Sequence, residues 1–208
     1  MSIIQIPSDL AIVRQDFGIR TFDLSFSNEN TGAVQTSVFG PPRRTCSLVG
    51  NERAELESGA SWRALIHSLR GRVNQLAVYD TIQTRPRGTA RGAWVAQATA
   101  VAGAASIAID LGENQAGRTL RQGDWIGVNQ LANYRQLLHV QADATADGNG
   151  RISVSFEPVL RVAVAAGSVI VWDRPTCLMR RVSGDSTWGT HPGELQGGFS
   201  LDLMESWE

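Results

Sequence analysis

A chain of 208 residues carrying 19 basic and 20 acidic side chains, for a formal charge of −1, has room for one large domain or two small ones. Its 42% hydrophobic and 19% charged content supplies a core and excludes a disordered chain, while the balanced charge lacks the footprint of a dedicated nucleic-acid binder. Two cysteines, Cys46 and Cys177, and three scattered histidines, His67, His139 and His191, make neither a disulfide framework nor a local zinc motif.

From the N-terminus, the first ten residues have no basic n-region, long apolar stretch or small-residue cleavage site, which predicts a soluble product made in a cytoplasm with reduced thiols. Thr21 to Phe26 alternates, placing Phe22, Leu24 and Phe26 on one face of a strand. Asn28 to Gly32 is a turn cluster and Ala33 to Phe39 the returning strand. The stretch from Ser27 to Asn51 has little helical pattern and reads as an arm able to reach a neighbour. Within it, Gly40-Pro41-Pro42-Arg43-Arg44 reads as an exposed turn.

Trp62, Leu65, Ile66 and Leu69 then fall at helical spacing and predict one amphipathic helix over about 59–70. Ser58 or Ser61 suits its N-cap and Gly71 the left-handed turn after it. Val73 to Asp80 is a strand, and Arg85 to Gly92 breaks the pattern with proline, glycine and arginine. Beyond it, short strands are expected at 106–111, 125–128, 137–140, 151–156, 168–172, 178–182 and 199–203. Asp147-Gly148-Asn149-Gly150 is a strong hairpin-turn signal before the fourth of these. Ala96 to Leu111, the longest weakly polar stretch, is too short and too often interrupted to span a bilayer. The rhythm predicts a mainly β protein. Its outer unit, 1–84 plus 176–208, is a β-sandwich or barrel with one short helix, and a second β-barrel-like domain is inserted at 88–175. One continuous barrel with a long loop is the alternative.

Reaction chemistry finds little support. All 19 basic residues are arginine, a bias that a GC-rich genome explains, and the absence of lysine excludes Schiff-base, Walker and general-base lysines. Asp147 and Asn149 sit at calcium-loop spacing, but the bidentate glutamate position is Phe156, so a tight turn is the better reading. Ser183-Gly184-Asp185-Ser186 reads as a polar turn, and no GxSxG elbow exists. Glu55 and Glu57 flank the helix start, where the dipole favours negative charge. His139 and Asp143 are thin support for a hydrolase, and Trp94, Trp125 and Trp172 for a carbohydrate platform. No catalytic, metal or cofactor residue is expected. Arginine and tryptophan are enriched where proteins meet, which makes Arg43, Arg44, Arg85, Arg87, Arg91, Trp94, Trp188 and Trp207 candidates for a subunit interface. For the tryptophans, burial within the same subunit is the alternative.

Four runs resemble one family. Glu57 to Asp80 looks like a helix-then-strand segment of bacteriophage tail proteins, as does the closing run Gly198 to Trp207. The runs Thr119 to Val128 and Val140 to Val171 resemble the β-barrel insertions of virion proteins. The family is the distal tail, or baseplate-ring, proteins of tailed phages. That resemblance implies a hexameric ring formed by a β-rich belt domain, with a second β domain projecting outward. It implies partners in the tail tube and the hub or baseplate, with a tail fibre or host-surface glycan beyond, a place at the virion tail tip after assembly in the host cytoplasm, and no catalytic residues. Neither membrane insertion nor specific nucleic-acid binding is expected. A carbohydrate-binding β-sandwich for host attachment, or a hub or fibre adaptor, is the alternative.

Overall fold

The computed structural model describes residues 1–193 and 195–207; positions 194 and 208, both in the expected outer unit, lie outside them. The first elements are β1 (Ile3–Gln5), β2 (Ile12–Ser27), β3 (Val34–Gly50), helix α1 (Leu56–Leu69) and β4 (Gln75–Val78). Next come β5 (Trp94–Ala96), β6 (Ser106–Asp110), a 3-10 turn at Glu113–Gln115, β7 (Thr119–Leu120) and β8 (Trp125–Val128). They are followed by β9 (Gln136–Val140), β10 (Ala144–Thr145), β11 (Arg151–Glu157) and β12 (Val169–Ile170). The last strands are β13 (Cys177–Arg181), β14 (Gly189–His191), β15 (Leu195–Gly197) and β16 (Ser200–Glu205).

One six-stranded sheet runs β1-β4-β13-β16-β3-β2 and is open at both edges. It is therefore neither the sandwich nor the barrel expected of the outer unit; a helix covers it instead. The stripe Trp62, Leu65, Ile66 and Leu69 is buried with Leu48, Leu76, Val78, Phe199, Leu201 and Leu203. Each such side chain stabilises the fold by roughly 1.5–3 kcal/mol when fully buried. Trp62 stacks on Phe199 at 5.8 Å between ring centroids, and its indole N–H donates to the Ala11 carbonyl at 3.1 Å.

The helix begins earlier than its apolar stripe and without a side-chain cap: Glu55 holds the N-cap position, Ser58 lies inside, and the Ser61 hydroxyl donates to Asp9. Tertiary contact takes over the cap's work. Ala54 and Gln196 exchange backbone hydrogen bonds at 2.7 and 3.0 Å, and a Cβ on Gly59 would lie 2.5 Å from the Gln196 side chain. At the other end Arg70 and Gly71 are both left-handed, at φ 48° and 68°, which stops the helix where the sequence places the glycine.

The second six-stranded sheet, β12-β5-β6-β11-β9-β8, all but closes on itself. Gly127 in β8 and Val171, just past β12, exchange backbone hydrogen bonds of 2.7 and 2.9 Å, completing the circuit. A Cβ on Gly127 would sit 2.6 Å from the Gln130 amide and 2.9 Å from Pro175, so the close approach needs glycine. Trp94, Ile107, Ile109, Ile126, Leu138, Val154 and Phe156 fill the interior. Asp147 folds the turn before β11 by accepting the backbone N–H groups of Asn149 and Arg151 at 2.9 and 2.8 Å. Its carboxylate is thus engaged by the turn, as the hairpin reading requires.

The largest departure from expectation is the length of β2 and β3. Gly40 to Arg44 lies within a strand, not in an exposed turn. The ladder passes from Arg20–Arg43 to Phe22–Gly40, leaving Pro41 and Pro42 opposite Thr21. A bulge of this kind seats residues that have no N–H to donate.

Candidate assembly interface

Only the lower half of the β2–β3 ladder belongs to the first sheet, because β16 pairs with β3 only from Thr45 to Val49. Beyond the Arg20–Arg43 pair the two strands continue alone to the turn at 28–33, an arm of roughly 25 Å by strand rise. Its faces alternate as the sequence predicts, with Phe22, Leu24 and Phe26 on one side, yet neither core covers them. Phe26 is 59% exposed, Val34 67%, Val38 74% and Phe39 72%. A free two-stranded ribbon is marginal in water, and clustered exposed apolar side chains mark contact surfaces.

The root of the arm is anchored at the seam between the two sheets. Arg44 is 4% exposed and its backbone N–H donates to Glu205 at 2.9 Å. Its guanidinium donates to the Leu137 carbonyl at 3.1 and 3.3 Å and lies 4.6 Å from the Trp125 ring centroid. Burial is the main influence on this guanidinium and pushes its pKa down. Glu205 also receives both terminal nitrogens of Arg161, at 2.6 and 2.8 Å. Arg161 in turn donates to the Pro42 carbonyl at 3.1 Å and sits 3.7 Å from the Trp207 ring centroid. A second tie crosses the seam at Gln130, whose amide donates to the Thr176 carbonyl and accepts from the Thr176 N–H, both at 2.8 Å.

Beside this seam lies a cleft of about 510 Å³ whose wall includes Arg43, Arg72, Arg180 and Arg181, with Met204 and Trp207. Arg43 stacks on Trp207, 4.6 Å from its ring centroid. Arg181 is braced by the Asp185 carbonyl at 2.6 Å and by the Ser186 hydroxyl.

The expected interface residues therefore divide. Arg43 and Trp207 come together at the cleft. Arg44 and Trp94 face inward and do not offer a contact surface: Trp94 is 1% exposed and its indole N–H donates to the Arg91 carbonyl at 3.0 Å within the barrel core. Trp94 opens β5, and its ring is buried in the barrel core against Trp172, 5.8 Å between centroids. Arg85 pairs with Asp173 at 2.9 Å on the surface, and Arg87 lies 3.6 Å from the buried Asp124 carboxylate. Arg91 folds its own loop, donating to the carbonyls of Gly88, Ala90 and Pro86 at 2.8, 2.6 and 3.1 Å. Trp188 is half-buried and packs on Phe199 at 6.3 Å. Sequence reasoning passed over Arg72, Arg161, Arg180, Arg181 and Glu205, which only strand pairing brings to one place.

The other chemical candidates do not converge. His139 meets the Trp125 ring edge-on at 4.6 Å, whereas Asp143 is held by Arg121 at 2.6 Å and by the Gln122 N–H at 2.8 Å. Trp94, Trp125 and Trp172 share no exposed face, since Trp94 is interior and Trp125 packs between Arg44 and His139. Among the described residues no group of three or more His, Cys, Asp or Glu side chains could hold a metal ion, and no helix is long and apolar enough to cross a membrane. The chain matches no protein-family model and no curated protein.

Proposed function

We propose that the protein is a structural subunit of a phage tail, a distal tail or baseplate-ring protein whose copies form a closed ring between the tail tube and the hub and fibre apparatus. One observation carries the reading: the β2–β3 arm projects past both cores with apolar side chains bare on both faces. A neighbouring copy would cover those side chains and pair or shield the long β2 edge, which otherwise invites disordered association. The seam supports it too, since Arg44, Arg161 and Glu205 fix the arm's root to both sheets and so set its direction. The resemblance of residues 57–80 and 115–207 to this family adds the position and the ring of six. Nothing in the role calls for a reaction centre.

Electron microscopy of virions assembled with a label in the 144–150 turn tests the position. The expected image shows label in a ring at the tail tip. Particles that form normally while leaving the labelled chain out would overturn the reading.

A further inference from the structure

The arm and the arginine cleft are complementary, and we infer that the arm tip of one copy docks in the cleft of the next. This inference rests on the ring reading and adds the surface that receives the arm. Between Thr21 and Pro42 the arm carries Asp23 and Glu29 and no basic residue, so its ionic character is wholly acidic. Phe26 and Val34, near the tip, are exposed apolar side chains on the same ribbon. The cleft presents the reverse: the exposed Arg72 and the ring-stacked Arg43 stand around the apolar surface of Met204 and Trp207, while Arg181 is buried and engaged by Asp185 and Ser186. Among the described residues of its wall the one carboxylate, Glu205, is buried and already taken by Arg161. Guanidinium forks match carboxylates in pairs of parallel hydrogen bonds, and their flat faces lie on aromatic rings as Arg43 does on Trp207.

Geometry makes the contact one between copies. Arg43 is both the root of the arm and a wall of the cleft, whereas Glu29 stands at the far end, roughly 25 Å along the ribbon. The tip is thus held away from its own cleft and presented to another. Arm and cleft are different patches of one chain, so the contact is head-to-tail, the kind that closes a ring when the rotation between copies divides a full turn.

Charge reversal in the full-length chain tests this. Arg72 and Glu29 are both exposed, so Arg72→Glu and Glu29→Arg should leave the circular dichroism and the thermal midpoint unchanged. Each is expected to weaken association at least about tenfold, because like charges then face each other, and the double swap is expected to recover most of the loss. Ring formation indifferent to both reversals overturns the arm-in-cleft contact and leaves the ring itself standing. Loss in both single variants without recovery in the swap separates the two charges and also overturns it. A wild-type chain that never associates removes the ring reading, and this inference with it.

Discussion

Glu205 is where the two sheets, the arm root and the cleft meet. Its side chain is fully shielded and binds the Arg161 guanidinium through both oxygens while accepting the Arg44 N–H. Glu205→Gln removes the charge but keeps the shape, leaving Arg161 without its counter-ion in a nearly dry setting. Breaking one side of such a pair typically costs about 3–5 kcal/mol, and a urea titration should show a loss of that order. A change within about 0.5 kcal/mol, the range of ordinary surface substitutions, would deny the residue this role. The thiols give a second test at the same scale. Burial pushes Cys46 up to about 12 and drives Cys177 upward as well, so neither should react with a thiol reagent near pH 8 until the protein unfolds. Fast labelling of the folded chain would contradict the packing around them. Acid sensitivity has a definite sign. Asp143 and Asp147 are held below the ordinary carboxylate value, chiefly by the backbone N–H groups of Gln122 and Arg151. The unfolded chain therefore takes up these protons first. Their contribution is present above the unfolded pKa, near 4, and is lost as the pH falls through the lower folded values. Stability of the Asp143→Asn, Asp147→Asn variant should fall less steeply below pH 4 than that of the wild type; equal slopes would refute the assignment.

Secondary elements divide by how local their causes are. Helix α1 is legible in the sequence because its stripe lies within eight residues, and Trp62, Leu65, Ile66 and Leu69 are all buried. Its early start is not, since a backbone bridge to Gln196 replaces the serine cap. Strands β6 and β11 follow from alternation, β8 and β9 lie where short strands are expected, and the turn at 147–150 follows from its Asp-Gly-Asn-Gly chemistry. Gly150 is needed there twice over: its φ is 75°, and a Cβ would come within 1.9 Å of the Gly112 carbonyl oxygen. Gly150→Ala should cost about 2 kcal/mol or more by chemical denaturation, and a neutral result would contradict the turn geometry. The arm shows the limit of such reading. Alternation places Phe22, Leu24 and Phe26 on one face correctly, but no local signal says that the ladder outruns the rest of its sheet, and proline-containing Gly40–Arg44 looks like a turn until its bulge is seen. The cleft was illegible altogether, because Arg43, Arg72, Arg180 and Trp207 are brought together only by the pairing of β3, β4, β13 and β16.

At the scale of the molecule, two hydrophobic cores meet at a seam of buried hydrogen bonds, and one ribbon leaves it with its apolar faces bare. The open sheet with its covering helix stands in place of the expected sandwich, and the near-closed barrel is the second β body. In the proposed ring, association covers both the ribbon and the exposed edge of β2. Contacts that combine apolar burial with arginine–carboxylate pairing should weaken, without vanishing, as salt rises. Replacing Phe26 and Phe39 by serine should abolish association at any salt while the thermal midpoint stays within a few degrees, because neither side chain belongs to a core; a variant that assembles normally would show that the ribbon is not the contact. The most direct measurement is the mass of the wild-type chain by sedimentation across a wide concentration range. A ring subunit gives one discrete species at a fixed whole-number multiple of 22.5 kDa that stops growing once closed. A mass of 22.5 kDa at every concentration, alone and in the presence of tail tubes, contradicts it.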